Sequence, residues 1–430
     1  MLRDCLPASV QRTLTELPES LDETYERILK EIKKPNRAHA QRVLQCLVVA
    51  TRPLRVSELT EVLAVDFDNA EGIPMLNPGW RWEDQEEALL IACSSLIAIV
   101  EAGRSRVVQF SHFSVKEFLT SSRLATAGVE LSNFHINLGP AHMILAQACL
   151  GVLLQTEDDV EGHIAEVHPL ARYAAEHWTT HAQFGGVLSR IRKGMEYLFD
   201  PNNAHFKAWL TIYDMDTEPT EDAIFYWFTN REKSPASPLY YAALCGFNDL
   251  EEHLITMNPQ VVNADGGYYM RPIVAALAGG HFQTADLLYH NGADLHVQGI
   301  NERSPLHGAV YSGNLEVVRI LIEYGADINA SSMYGTPIFD ASGGAYLKGG
   351  SVVRLLLKHG ADINARNHDG QTPLHWAVKL NFTKLEAVRL FLENGVDIEA
   401  KDNDGKTALQ EAAKRGYDEV VELLREHGAK

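Results

Sequence analysis

The last half of this chain repeats itself at a nearly fixed interval. Gly292-Ala293-Asp294, Gly325-Ala326-Asp327, Gly360-Ala361-Asp362 and Gly395-Val396-Asp397 lead to a closing Gly428-Ala429-Lys430, with spacings of 33, 35, 35 and 33 residues. A second phrase keeps step: Ser304-Pro305-Leu306-His307, Thr336-Pro337-Ile338-Phe339, Thr372-Pro373-Leu374-His375 and Thr407-Ala408-Leu409-Gln410. A unit this short cannot bury its own apolar face, so neighbouring units must stack and share a core. Each unit predicts a helix pair. The Ser or Thr hydroxyl caps the first helix and proline presets its φ. Runs such as Val317-Val318-Arg319-Ile320-Leu321-Ile322 form the second helix, and glycine ends it in a left-handed conformation. Two degenerate units begin at Ser237-Pro238-Leu239-Tyr240 and Arg271-Pro272-Ile273-Val274, giving six in all. In the fourth and fifth units the extra residues (341–350 and 379–384) fall between the paired helices, where insertion is tolerated.

This period and these phrases resemble the ankyrin repeat. The resemblance implies an α-solenoid whose consensus positions pack and whose other positions recognise a protein. His307 and His375 are expected to hydrogen-bond within their turns. Recognition is expected from the helix-surface residues Tyr241, Tyr311, Asn314, Trp376, Lys379, Glu411, Lys414, Arg415 and Tyr417. The hairpin tips add Asn301, Glu302, Tyr334, Asn367, His368, Asp369, Asn403 and Asp404. From these, Tyr311, Asn314, Trp376, Lys379, His368, Asp369, Lys414, Arg415 and Tyr417 form the expected partner-binding set on the concave side. Trp376 leads it, because a smaller apolar residue is common there; the alternative is that it covers the longer loop around Phe382.

The first half reads differently. Ser20 and Glu23 form a capping box for a helix carrying Leu21, Tyr25, Ile28, Leu29 and Ile32 on one face. A second helix spans about 37–51, a third, capped by Ser57, spans Glu58–Val65, and a fourth spans Glu83–Cys93. Leu96–Val100 and Arg106–Phe110, joined by Glu101-Ala102-Gly103-Arg104, read as a β-hairpin. A helix over Val115–Arg123, capped by Ser111 or Ser114, closes a winged-helix pattern. Beyond it the period is helical, with segments at Pro140–Leu154, Pro169–Ala182, 186–199 and 203–212. Linker-like stretches at Thr217–Glu221 and Ser234–Pro238 precede the repeats.

The run Leu17-Pro18-Glu19-Ser20-Leu21-Asp22-Glu23-Thr24-Tyr25-Glu26-Arg27-Ile28-Leu29, with Phe110-Ser111-His112-Phe113-Ser114-Val115-Lys116-Glu117-Phe118-Leu119, resembles the module after the nucleotide-binding domain of fungal NACHT proteins, signalling NTPases of the STAND class. Ankyrin repeats often follow it there. The resemblance implies that His112 could contact a nucleotide phosphate. No Gly-x-x-x-x-Gly-Lys-Ser/Thr stands ahead of Leu17, and at Gly405-Lys406-Thr407 the first glycine is replaced by Ala400. His112 is therefore expected to serve only as a helix-start residue, with no nucleotide bound or hydrolysed, as in a truncation that kept the sensor half.

Composition narrows the rest. The formal charge is −19 and both halves are acidic, which disfavours nucleic acid as the main partner. A winged helix could read DNA, but Lys116 and Arg123 stand against Glu117, with only Arg104 and Arg106 on the hairpin. Cys5, Cys46, Cys93, Cys149 and Cys245 have no metal-ligand or redox spacing and read as buried thiols of a reducing compartment. His177 and His181 could share a helix face but lack a third ligand, and Glu157-Asp158-Asp159 with Glu161 reads as a solvated turn. Neither a signal peptide nor a membrane span is expected. The reading is a mainly α, non-enzymatic, cytoplasmic interaction protein without metal or cofactor. It divides into a winged-helix domain (1–127), a helical domain (128–233) and an ankyrin domain (234–430). The alternative is a regulatory pseudo-subunit of an intact STAND NTPase.

Overall fold

A computed structural model describes residues 20–67, 73–156, 167–217, 235–343, 349–379 and 385–430. Cys5, the acidic run at 157–161, Phe382, residues 218–221 of the first linker and Ser234 of the second lie outside these residues. The chain is mainly helical, as expected, and forms two compact units, Met1–Met215 and Asp216–Lys430.

In the first unit α1 (Leu21–Glu31) starts at Ser20, whose hydroxyl accepts from the Glu23 amide. Then follow α2 (Arg37–Val49), β1 (Leu54–Arg55), α3 (Val56–Leu63), β2 (Val65–Asp66), β3 (Met75–Leu76), α4 (Gln85–Cys93), β4 (Ile97–Ala102), β5 (Ser105–Phe110) and α5 (Phe113–Leu119). The hairpin turns at Gly103, where φ is 62°. The sequence reading missed a third strand. Leu54 and Arg55 pair antiparallel with Val108 and Val107, so the sheet runs β1-β5-β4. Two caps also differ from expectation. Arg55 rather than Ser57 precedes α3, with Glu58 reaching back to its amide at 2.7 Å. His112, not a serine, is the N-cap of α5, its Nδ1 accepting from the Ser114 amide. The imidazole succeeds because any acceptor that reaches the free first-turn amides can cap, whereas Arg55 has no side-chain acceptor and the Glu58 carboxylate alone satisfies the cap amide.

The helices α6 (Leu138–Leu153), α7 (Ala171–Ala182), α8 (Leu188–Leu198) and α9 (His205–Ile212) complete this unit, and the winged helix shares a core with them. Leu145, Leu150 and Leu153 of α6 are fully buried, each contributing about 1.5–3 kcal/mol of apolar burial. Gly151 lets α6 lie close to the chain before β3, since a Cβ there would sit 3.1 Å from the Pro74 carbonyl oxygen. Polar contacts fasten the same joint. Buried Glu58 takes both guanidinium nitrogens of Arg52 at 2.8 Å, and buried Glu61 accepts from Arg81 and, at 2.6 Å, from the Leu170 amide. Cys46, Cys93 and Cys149 are buried free thiols; burial pushes the first two up to about 12.

The second unit is six helix pairs: α10 (Pro238–Cys245) with α11 (Asn248–Met257), α12 (Pro272–Ala278) with α13 (Phe282–His290), α14 (Pro305–Ser312) with α15 (Leu315–Glu323), α16 (Pro337–Gly343) with α17 (Gly349–Lys358), α18 (Pro373–Lys379) with α19 (Leu385–Glu393), and α20 (Ala408–Arg415) with α21 (Asp418–Glu426). Each second helix that closes in Gly-Ala-Asp or its variant ends at a glycine of positive φ, from 77° at Gly395 to 96° at Gly428. That geometry strains any side-chain-bearing residue.

Two polar ladders join successive pairs. In the first, an asparagine after one pair accepts an aspartate amide of the next: Asn263 from Asp294 at 2.8 Å, Asn329 from Asp362 at 2.9 Å and Asn364 from Asp397 at 2.9 Å. Glu399 does the same for Lys430 at 2.8 Å. In the second, the residue three after the capping Ser or Thr bonds backbone of the following hairpin. His307 donates to Gly335 and His375 to Lys406, and Tyr240 accepts from the Tyr269 amide. Their histidine bonds thus extend beyond the turn that the sequence suggested. Between the second and third pairs both positions are changed, to His296 and Val274, and among the described residues neither makes the cross-repeat bond. There α12 and α14 approach only sparsely, and the second helices are joined by Tyr289 stacked on Tyr324 at 4.2 Å and by the Tyr324 hydroxyl, which donates to Asp286 at 3.3 Å. The array is thus a pair of repeats joined through a seam to a stack of four.

Installing the ladders at this seam is expected to stabilise the unit. Val274→His with His296→Asn should add about 1 kcal/mol per bond formed. Thermal melts should show a higher midpoint, and hydrogen exchange should slow in α10–α13. An unchanged midpoint would mean that the seam is limited by apolar packing.

Candidate functional site

The first helices of the last four pairs present one continuous face, since α14, α16, α18 and α20 each pack on the next. Tyr311, Lys379 and Lys414 hold the same place in their repeats, seven residues after Ser304, Thr372 and Thr407. Tyr311 and Trp376 are half-buried. The Trp376 ring meets Phe339 edge-on at 6.3 Å, and the Lys379 ammonium lies 5.1 Å from its centre. Lys414 and Arg415 are exposed, and Arg415 donates to Glu411 at 2.6 Å and also bonds the half-buried Tyr417.

Other expected residues serve the scaffold. Asn314 caps α15, its Oδ1 accepting from the Val317 amide at 3.2 Å. Exposed His368 donates to the Met333 carbonyl at 3.0 Å, and exposed Asp369 accepts from the Asn403 amide through its own carbonyl at 3.0 Å. Both therefore couple hairpin tips as well as facing solvent. Tyr241 is a correction: it is 1 % exposed, packed edge-on against Tyr240 rather than displayed. The equivalent position of the fifth repeat carries Trp376, which is half-buried.

Sequence reasoning missed the most constrained pair on this face. Arg303, before the third repeat, donates to Asp340 of α16 at 2.7 Å, and both side chains are 7 % exposed. The guanidinium lies 5.8 Å from the Tyr311 ring centre and 5.2 Å from that of Tyr334. Burial pushes Asp340 up to about 6, outweighing the pull of Arg303. The available signal was an aspartate where the other repeats place Gly308, Trp376 or Glu411, with an arginine one hairpin earlier.

The His177–His181 pair acquires a different role. His181 is fully buried and bonds His142 of α6, Nδ1 to Nδ1, at 2.9 Å; its Nε2 bonds the Tyr173 hydroxyl at 2.9 Å. The Thr51 amide donates to that same phenol oxygen at 3.3 Å. His181 thus has a polar partner on each ring nitrogen. His177 instead packs edge-on to Tyr173, beside Arg52 and Glu176. Among the described residues no group of three or more candidate ligands could hold a metal. Two basic groups on the winged helix are occupied: Arg106 pairs with Glu86, and Arg123 with Asp22 and Glu26.

Comparison with known proteins gives both parts of this architecture. Residues 239–332, 272–367 and 343–430 match ankyrin repeats, and residues 25–134 match the family described as "GPI inositol-deacylase, winged helix domain". The chain thus carries a winged-helix domain and an ankyrin array. It is 30% identical over 302 residues to "Azaphilone pigments biosynthesis cluster protein L" of Monascus ruber, covering 66% of this chain and 61% of that protein. It is 34% identical over 152 residues to "Arf-GAP with coiled-coil, ANK repeat and PH domain-containing protein 2" of Gallus gallus, covering 32% and 18%. "Ankyrin repeat and SOCS box protein 5" of Mus musculus is 33% identical over 96 residues, covering 22% and 29%. The chain therefore spans less than two thirds of the length of each of these relatives. Among the described residues no helix is long and apolar enough to cross a membrane.

Two outcomes follow. Arg303→Ala leaves Asp340 buried without its cation, and should destabilise the repeat unit by about 3–5 kcal/mol at pH 7.5. The loss should shrink at pH 5, where the carboxyl is protonated; equal losses at both pH values would place the effect in packing alone. In the first unit, burial and the neighbouring histidines hold His181 down to about 3, and burial also lowers His142. Below the unfolded value of 6.5 the unfolded chain then binds more protons, so stability is present at neutral pH and lost as pH falls. Melting of this unit should drop between pH 7 and 5, and His142→Phe should flatten that slope.

Proposed function

We propose that this protein is a non-enzymatic recognition module of NACHT-type signalling, of the fungal kind. Its ankyrin array binds a protein partner through the concave, first-helix side. The observation that carries this reading is the face over repeats three to six. There the consensus residues are spent on packing and ladders, while Tyr311, Trp376, Lys379, Lys414, Arg415 and Tyr417 keep accessible area. Aromatic and cationic side chains of this kind dominate the energetics of protein interfaces. Ankyrin arrays generally mediate protein–protein binding, and ankyrin and winged-helix domains are typically non-catalytic, which supports assigning the activity to binding rather than chemistry. The winged-helix match and the Monascus relative support the NACHT-associated, fungal setting. In this reading 1–127 is the winged helix, 128–233 the helical connector and 234–430 the recognition domain. The protein works in the cytoplasm without nucleotide, metal, nucleic acid or membrane.

The test is affinity capture with the full chain, comparing wild type with Trp376→Ala and Tyr311→Ala. A partner retained by wild type should bind about 2 kcal/mol more weakly to Trp376→Ala. The melting temperature should fall only slightly, because the ring touches Phe339 at its edge. A variant that melts several degrees lower and binds unchanged would make Trp376 a packing residue and move recognition elsewhere. ATP or ADP binding at micromolar concentration, abolished by His112→Ala, would favour the NTPase-subunit alternative.

A further inference from the structure

Charge is distributed unevenly between the two helix layers of the array. The second helices hold the acidic surplus, most densely on α21, where exposed Asp418, Glu419, Glu422 and Glu426 outnumber Arg425. The first helices carry two carboxylates, and an arginine neutralises each: Arg303 for Asp340 and Arg415 for Glu411. Two cations are left over, Lys379 and Lys414. Among the described residues no carboxylate lies within 4 Å of either ammonium. They occupy equivalent positions on α18 and α20, which pack directly on each other. Packed helices stand about 8–10 Å apart, which is the scale of the separation between these two equivalent positions. Trp376, one turn before Lys379, adds an accessible aromatic surface beside the first of them.

We infer that the partner segment taken by this face is an extended acidic peptide. Its two carboxylates stand three residues apart and engage Lys379 and Lys414, and a neighbouring apolar side chain lies on Trp376. Held as a polyproline-II segment, with three residues per turn and a rise of about 3.1 Å, the peptide presents residues three apart on one side about 9 Å from each other, which matches the about 8–10 Å between packed helices. On a chain of net charge −19, a local pair of unneutralised cations also gives an acidic ligand its favoured landing point by repelling it everywhere else. This inference rests on the first-helix face being the recognition surface, and names the chemistry that the face selects.

The experiment is selection of a random peptide display library on the immobilised full chain, followed by fluorescence anisotropy with the selected peptides. Enrichment of Asp or Glu at three-residue spacing is expected. Lys379→Gln with Lys414→Gln should weaken binding about tenfold or more, and the arginine pair should restore it. Raised salt should weaken binding to wild type more than to the glutamine variant. Peptides that depend on Trp376 but carry no acidic pattern, or that ignore both lysines, overturn the inference and leave the recognition face standing. Peptides indifferent to Trp376, Tyr311 and the lysines overturn the face as well. A library that yields no binder, or a single-stranded RNA that displaces the peptides through the same lysines, also overturns the acidic-peptide assignment.

Discussion

The repeat unit depends on hydrogen bonds that leave one helix pair and end on the backbone of the next. Apolar burial holds each pair together, but it is non-directional and would tolerate sliding. The asparagine bonds to Asp294, Asp362 and Asp397 fix how far one pair is translated along its neighbour. The bonds from Tyr240, His307 and His375 fix how its hairpin is turned. The asparagine bonds are exposed, but the hairpin bonds are buried or half-buried, and there a donor or acceptor left unmade costs about 1–3 kcal/mol, so the hairpin ladder sets the register more sharply than its net stabilisation suggests. The surface residues are placed only because this register is set: Tyr311, Lys379 and Lys414 form a column through equivalence of position.

The first unit solves a different problem by related means. A winged helix of this size presents one apolar side that its own strands do not cover, and α6 covers it. The joint is polar as well as apolar, because Glu61, buried on α3, accepts the Leu170 amide across it, while Glu58 beside it is neutralised locally by Arg52. The chain Thr51–Tyr173–His181–His142 continues the same logic inward, with each group hydrogen-bonded to the next. It works with neutral imidazoles, since a second proton would set two N–H groups against each other at 2.9 Å. A neutral relay of this kind is a source of specificity that fails as the solution acidifies.

Much of this was legible in the sequence. The repeat period, the capping Ser and Thr, the left-handed glycines and the β-hairpin each follow from a local rule acting over a few residues. The seam was legible too, in Val274 and His296, although its meaning appears only when the bonds those positions normally make are known. The third strand, Leu54–Arg55, was not, because two residues carry no period and gain their conformation from β5. Arg303 with Asp340 and His142 with His181 were hidden for another reason. Their partners are 37 and 39 residues apart, and nothing local shows that two polar side chains will be buried against each other. Tyr241 shows the converse: an aromatic at the position where the fifth repeat leaves Trp376 half-buried is fully enclosed, edge-on to Tyr240, in the first.

The seam also has a bearing on how length is measured by anything lying along the array. Across repeats three to six, the bonded stack is a ruler with graduations fixed before a ligand arrives. A ligand extending onto the first two repeats would cross a division held by stacked aromatic faces and an exposed hydroxyl–carboxylate bond, a looser joint than the paired ladders. Along the stack the protein therefore dictates spacing to its ligand. Across the division, the ligand can dictate spacing to the protein.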